Sequence, residues 1–254
     1  MARELRRLLL DPARLAEVAS GEAKLPLKPA EDHSLSRVLR LRPGDPLAVI
    51  DGCGGLWLAQ RGDGAWITKL QRCTAPDTPR QPRLILALAL PRQDVERVWR
   101  MATELGIDGL QPLQGERSQS QGQRLPLERW QAVVREATEQ CERLWLPALE
   151  PLQPAMQWLG RRHGCRLLAT TRQPGLLTLE QGLDQWLSSQ KGSSGMASPT
   201  AAEIALAIGP EGGWSPQEEG LACASGWQAV SLGSTILRST CLLYTSDAAD
   251  DTPC

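Results

Sequence analysis

The chain has 254 residues, 41% of them hydrophobic and 22% charged, with a formal net charge of -1. That balance is ordinary for a globular protein and excludes disorder along the whole length. The longest uninterrupted apolar run, Leu84–Leu90, falls far short of the ~20 residues of a membrane span, and Met1–Leu10 carries only a three-leucine patch and an acid, so it is no signal peptide. A soluble cytoplasmic protein with no membrane contact is the expectation. Seven scattered cysteines form no CxxC pair and only two histidines occur, so the sequence predicts neither a metal site nor a disulfide framework. Residues 1–72 hold 12 Lys and Arg against 9 Asp and Glu, while the remainder holds 16 against 20. A basic first part is compatible with a nucleic-acid-facing module and also with a plain solvated face.

Taken in chain order, Leu47–Ile50, Leu56–Ala59 and Ala65–Leu70 are short apolar runs. Pro43-Gly44-Asp45, the Asp51–Gly55 cluster and Gly62-Asp63-Gly64 punctuate them. Strands divided by Gly/Asp turns at this spacing predict a small β-barrel or sandwich over residues 1–72. A polar, proline-rich linker at 73–83 follows. Leu84–Leu90 then has the length and continuity of a strand buried on both faces. Val95, Val98, Ala102 and Leu105 recur at helical spacing, and Gly106 stands where a helix ends. Gly109–Leu113 is a second strand, and Trp130, Val133, Val134, Ala137 and Cys141 mark one face of a longer helix. Arg166–Thr170, Glu203–Ile208 and Gln228–Leu232 complete the strand set. Ser188–Thr200 is low in complexity and reads as a flexible surface insertion. Strands alternating with helices predict an α/β domain with a mostly parallel sheet.

The chemistry-bearing stretch is Ala205–Glu219. A buried strand runs into Gly209-Pro210-Glu211-Gly212-Gly213, and then Ser215, Pro216 and Glu218 form a capping box with proline in its preferred place. A helix therefore starts at Pro216. Glycines at the carboxyl end of a strand let backbone groups approach a ligand closely. No Lys-Ser/Thr follows the last glycine and no GxGxxG is present, so neither a P-loop nor a dinucleotide fingerprint fits. Glu211 would repel phosphate. The residues leave two readings open, a tight structural turn or a cradle for a ligand without phosphates. Leu232-Gly233-Ser234-Thr235-Ile236-Leu237-Arg238 repeats the pattern after the next strand.

Ile208–Gly213 with Ser215 and Glu218, followed by Leu232-Gly233 and Ile236-Leu237-Arg238, resembles the signature of the RsmE-type methyltransferases. His33–Leu41 with Gly44-Asp45, Thr103–Ile107, Glu116-Arg117-Ser118, Arg129-Trp130 and Glu136-Ala137 resemble further blocks of that family in the same order, over about residues 30–240. The resemblance implies a PUA-like N-terminal β-barrel and a SPOUT-class α/β domain (84–240) ending in a trefoil knot. It implies methylation of N3 of a uridine in 16S ribosomal RNA of the small subunit, with S-adenosylmethionine as cofactor, by a homodimer. Ile208, Gly209, Pro210, Gly212, Gly213, Leu232, Gly233, Ile236 and Leu237 would then line the cofactor site. Arg238 would stabilise the charge left on uracil, with Glu211 in a polar or proton-accepting role. Arg37, Arg40, Arg42 and Arg117 would meet RNA. Two departures stand out. Met101 replaces a lysine common in the family, and the tail from Cys241 to Cys254 lacks the family's apolar C-terminal helix. That tail reads as foreign to the domain, which would leave the knot incomplete and the chain an RNA-binding protein without catalysis. A related SPOUT enzyme acting on other RNA is the remaining alternative.

Overall fold

The computed structural model describes residues 5–16, 24–73, 78–118, 125–161, 164–171, 173–191 and 203–233. Contacts divide the chain into two units, one of Met1–Pro79 with Val134–Leu146 and one of Arg80–Val133 with Pro147–Cys254.

The first unit holds β1 (Arg7–Leu9), α1 (Pro12–Ala16), β2 (Leu25–Pro26), α2 (Pro29–His33), β3 (Pro46–Ile50), β4 (Leu56–Arg61) and β5 (Trp66–Arg72). Its five-stranded sheet runs β1-β3-β4-β5-β2. The β1–β3 pair is parallel and the other pairs are antiparallel. The three strands expected from the sequence are β3, β4 and β5, while the short β1 and β2 flank them. Leu8, Leu35, Leu47, Val49 and Ile67 fill the core of this unit. Arg61, buried to 7% exposure, is ion-paired with Asp32 and donates to the Trp66 carbonyl at 3.0 Å. A buried guanidinium is tolerable only when matched in this way.

Residues 134–146 group with this unit through specific bonds. The Leu9 amide donates to Glu139 Oε1 at 2.7 Å, and Arg135 donates to the Leu9 carbonyl at 2.9 Å. Gly54 and Leu146 close the segment with backbone bonds to Leu144 and Gly52, both at 3.0 Å.

The second unit contains β6 (Arg83–Ala89), α3 (Val95–Glu104), β7 (Gly109–Gln114), α4 (Leu127–Gln140), β8 (Ala148–Leu149), β9 (Gln153–Pro154) and α5 (Ala155–Leu159). There follow β10 (Cys165–Ala169), β11 (Leu177–Thr178), α6 (Leu179–Lys191), β12 (Glu203–Ile208), α7 (Pro216–Ala224) and β13 (Gln228–Ser231). The second half of α4 lies among the residues grouped with the first unit. The sheet order is β11-β13-β10-β12-β6-β7-β8, with β9 also on β7, and every pairing in it is parallel. The α/β alternation read from the sequence is therefore the observed one.

Period-2 side-chain alternation sorts the two faces of this sheet. On β12, Ile204 and Leu206 pack with Cys165, Leu167 and Val230 against Leu179, Leu183 and Trp186 of α6. Ala205 and Ala207 face the other way, as do Ala87 and Ala89 of β6, and there Trp158, Trp214 and Trp227 occupy the space that the small side chains leave. Large indoles against an alanine floor fill the layer.

One expectation needs correction. The insertion predicted from Ser188 starts later, because α6 continues to Lys191 and Ser189 Oγ donates to the Trp186 carbonyl at 2.6 Å. Residues 192–200 lie outside the described residues. Among the described residues no helix is long and apolar enough to cross a membrane.

Burial pushes the Glu139 carboxyl above its ordinary range, with the Leu9 amide and Arg135 pulling it partly back. A carboxyl raised in the folded state contributes stability below its unfolded pKa and loses that contribution as pH rises through the raised value. Glu139→Gln, whose carbonyl still accepts from Leu9, should therefore be the more stable variant at neutral pH, with the advantage vanishing in acid. Thermal unfolding of both proteins across the acid-to-neutral range checks this, and parallel profiles would contradict it.

Candidate active site

In an open parallel sheet, ligands settle at the carboxyl edge where successive connections leave in opposite directions. Here β6 and β12 are neighbours, yet β6 leads through α3 to β7 on one side and β12 leads through α7 past β10 to β13 on the other. The loop leaving β12 at this switch point is Gly209–Ser215.

Its shape follows from its sequence. Gly213 donates to the Pro210 carbonyl at 2.8 Å and adopts φ +72°, a left-handed value that a glycine reaches without penalty. Ser215 then caps α7. Its hydroxyl accepts from the Glu218 amide at 3.2 Å, and Glu218 Oε2 accepts from the Ser215 amide at 2.8 Å. This is the capping box expected from the sequence, with Pro216 at its start.

Three other strand ends are stitched to this loop and to the first turn of α7. From β7, the Glu116 amide donates to Glu218 Oε1 at 2.9 Å, and Arg117 Nη1 donates to the carbonyls of Gly212 and Trp214, both at 3.1 Å. From β6, the Arg92 amide lies 3.4 Å from Glu211 Oε1. From β10, the Ala169 carbonyl accepts from Trp214 Nε1 at 3.1 Å, and Thr170 Oγ1 donates to Glu219 Oε1 at 2.9 Å. Glu218 is only 1% exposed, and its carboxylate is offset by two amide donors and the positive end of α7.

Glycine packing separates structural from open positions. A Cβ at Gly209 would stand 3.1 Å from the Trp214 ring, and one at Gly212 would stand 3.2 Å from Arg117. Among the described residues, a Cβ at Gly213 or at Gly233, after β13, would meet nothing within 4 Å. These two glycines border space, among the described residues, that a side chain would partly occupy.

The sequence-assigned residues divide accordingly. Ile208 is buried at the end of β12, and Gly209, Pro210, Gly212 and Gly213 form the loop itself, while Leu232 and Gly233 follow β13. Glu211 is exposed at the tip of the turn. Ile236, Leu237 and Arg238 lie outside the described residues, as does the tail from Cys241. Arg117, assigned to RNA, is engaged with the glycine loop and acts there as a brace. Arg37, Arg40 and Arg42 are all exposed in the first unit, but not on a strand face. Arg37 sits in a π-helical turn, Ser34–Val38, Arg40 has φ 55°, and Arg42 belongs to the loop before β3. Burial pushes the Cys165 thiol up to about 11, so it stays protonated and inert at neutral pH. Trp214, Thr170 and Glu219 belong to the site without an expectation from the sequence; of the three, Glu219 carries a local signal, as part of an acid pair in the first turn of a capped helix.

A family model for the RNA methyltransferase domain matches residues 78–248. The chain belongs to the RNA methyltransferase family. The matched span takes in both glycine loops and continues beyond Cys241. The chain is 39% identical over 235 residues to ribosomal RNA small subunit methyltransferase E of Synechocystis, covering 92% of this chain and 73% of that one. The protein of the same name from Rickettsia conorii is 31% identical over 222 residues, covering 85% and 84%. Among solved structures, the Neisseria gonorrhoeae small subunit methyltransferase E bound to S-adenosyl methionine superposes with a TM-score of 0.74 at 24% identity, covering 97% of this chain and 96% of that one. A Legionella pneumophila methyltransferase in complex with the same cofactor gives 0.74 at 22% identity, with the same coverage. These two likenesses establish the α/β fold.

Removing the Glu218 carboxylate strands the buried Ser215 amide and the partly buried Glu116 amide. Glu218→Ala in this RNA methyltransferase should therefore cost about 2–4 kcal/mol. Urea unfolding measures it, and a loss no greater than that of an exposed Glu→Ala would mean that the bridge is dispensable.

Proposed function

We propose that this chain methylates N3 of a uridine in 16S ribosomal RNA of the small subunit, using S-adenosylmethionine. The observation that carries the reading is a glycine loop at the switch point of a parallel sheet in a chain of the RNA methyltransferase family. The names of its relatives supply the substrate, and the titles of the two solved structures supply the cofactor.

The residues present fit such a cofactor. It carries no phosphate, in keeping with a loop that bears the Glu211 carboxylate and lacks a P-loop lysine. Gly213 and Gly233 leave room where Cβ atoms would intrude. Gly209, Pro210, Gly212, Gly213, Leu232 and Gly233 would hold it through backbone groups, with Ile208, Ile236 and Leu237 giving apolar contact. When bound, it supplies an electrophilic methyl group on a positively charged sulfur.

Uracil N3 is protonated at neutral pH, so its proton must leave and the resulting anion must be held. Arg238 is assigned to that charge. Glu211 provides a carboxylate at the tip of the same loop, suited to a polar or proton-accepting contact. Residues 1–72 are assigned as a PUA-like barrel that grips RNA through Arg37, Arg40 and Arg42, whose phosphate contacts give affinity without reading sequence. Residues 84–240 would form a SPOUT domain with a C-terminal trefoil knot, working as a cytoplasmic homodimer.

Calorimetric titration of the full chain with S-adenosylhomocysteine tests the cofactor assignment, and one micromolar site per chain is expected. Absence of binding would overturn the assignment and leave an RNA-binding protein. Arg238→Ala should lower methyl transfer to small subunits by about 10²–10³-fold while leaving cofactor affinity close to the parent value. An equal loss in both would move Arg238 from charge stabilisation to the cofactor pocket.

A further inference from the structure

Beside the glycine loop the second unit has a separate cleft of about 640 Å³, walled by the loop leaving β6, the first turns of α3 and the start of α4. Four arginines line it, Arg92, Arg97, Arg100 and Arg129, against two acids, Asp94 and Glu96. Arg129 Nε meets Glu96 Oε1 at 2.6 Å, and among the described lining residues arginines outnumber acids four to two. Arg97 and Arg100 are three apart on α3 and so project from neighbouring positions on one helix face. The four arginines are exposed. Like charges held around one concavity repel each other, and an anion between them relieves that repulsion.

We propose that this cleft binds the RNA backbone beside the nucleotide being methylated, with Arg92 and Arg100 on its phosphates. The inference rests on the RNA methyltransferase reading and extends it to a second contact surface, apart from Arg37, Arg40 and Arg42. The guanidinium fork matches phosphate oxygens in a bidentate way, and charge assistance makes such bonds strong. Location supports the assignment, because the backbone of Arg92 contacts Glu211 of the glycine loop and the cleft therefore adjoins the proposed reaction site. The chemistry favours backbone over base. Trp130, the aromatic lining residue, is only 3% exposed and stands edge-on to the buried Trp99 at 6.0 Å, so it offers no open face for a base to stack on. The contacts are then independent of sequence, and they hold the strand while other groups select the nucleotide.

The test uses the full chain, protein-free 16S rRNA and the Arg92→Gln/Arg100→Gln double variant. RNA affinity should fall about tenfold or more, and the slope of log Kd against log salt should shrink by about 1–2. S-adenosylhomocysteine affinity should stay as in the parent, which shows that the variant is folded. The Arg92→Lys/Arg100→Lys variant should recover most of the RNA binding, because a point charge still meets phosphate. Unchanged RNA affinity and salt slope in the glutamine variant would overturn the proposal. So would a change of oligomeric state in sedimentation with RNA binding intact, which would make the cleft a subunit contact. A parent chain that binds RNA but no S-adenosylhomocysteine would remove the cofactor reading alone, and the salt slope would still decide the cleft. A parent chain without salt-dependent RNA binding would overturn both.

Discussion

The buried Glu218 carboxylate is the bond on which the second unit's site depends. One oxygen accepts from the Ser215 amide and so ends the glycine loop, and the other accepts from the Glu116 amide and so joins that segment to the end of β7, two strands away in the sheet. A carboxylate at 1% exposure would be costly alone, but two amide donors and the amino end of α7 compensate it. Arg117 repeats the connection from the opposite direction by donating to Gly212 and Trp214. The second half of the loop is thus held by groups outside it. Gly213 can then stay in its left-handed conformation, with no described residue within 4 Å of where a side chain would stand, and the backbone there is pre-organised.

Beneath the loop, the packing answers a compositional oddity. The chain has nine tryptophans and no phenylalanine. Indoles are large and carry an N–H, so they need both room and an acceptor. The alanines of β6 and β12 give the room, and the Leu159 and Ala169 carbonyls accept from Trp227 and Trp214 at 2.8 and 3.1 Å. Trp214 therefore has two tasks. It fills the layer over the alanine face, and its ring lies against Gly209, where any side chain would displace it. Core packing and site geometry share one residue here.

Arginine supplies 24 of the 28 basic residues, and its uses differ by environment. Arg61 is buried and ion-paired with Asp32, Arg117 braces a loop, and Arg37, Arg40 and Arg42 stay exposed. The cleft beside β6 gathers four more on one concave surface. A count of basic residues along the chain misses this surface, because its members come from a strand end and two helices whose acids nearly balance them in sequence.

Much of the fold was legible in the sequence because the signals were local. The continuous run at Leu84–Leu90 marked a strand buried on both faces, Gly106 with φ +88° ended α3, and Ser215, Pro216 and Glu218 fixed the start of α7. Each rests on residues within a turn or two of one another, where propensity and hydrogen bonding act on a short segment. Three features were beyond that range. Glu116 meets Glu218 across 102 residues, Leu9 meets Glu139 across 130, and α6 runs into a segment whose composition reads as a loop. The sequence by itself determined the longer strands, α3, α4, the glycine loop and its capped helix. Only the tertiary structure decided which strand ends stand side by side, and so which amides reach Glu218 and which arginines share a cleft. Sheet order sets those neighbours, and it follows from how the two faces pack rather than from any local pattern.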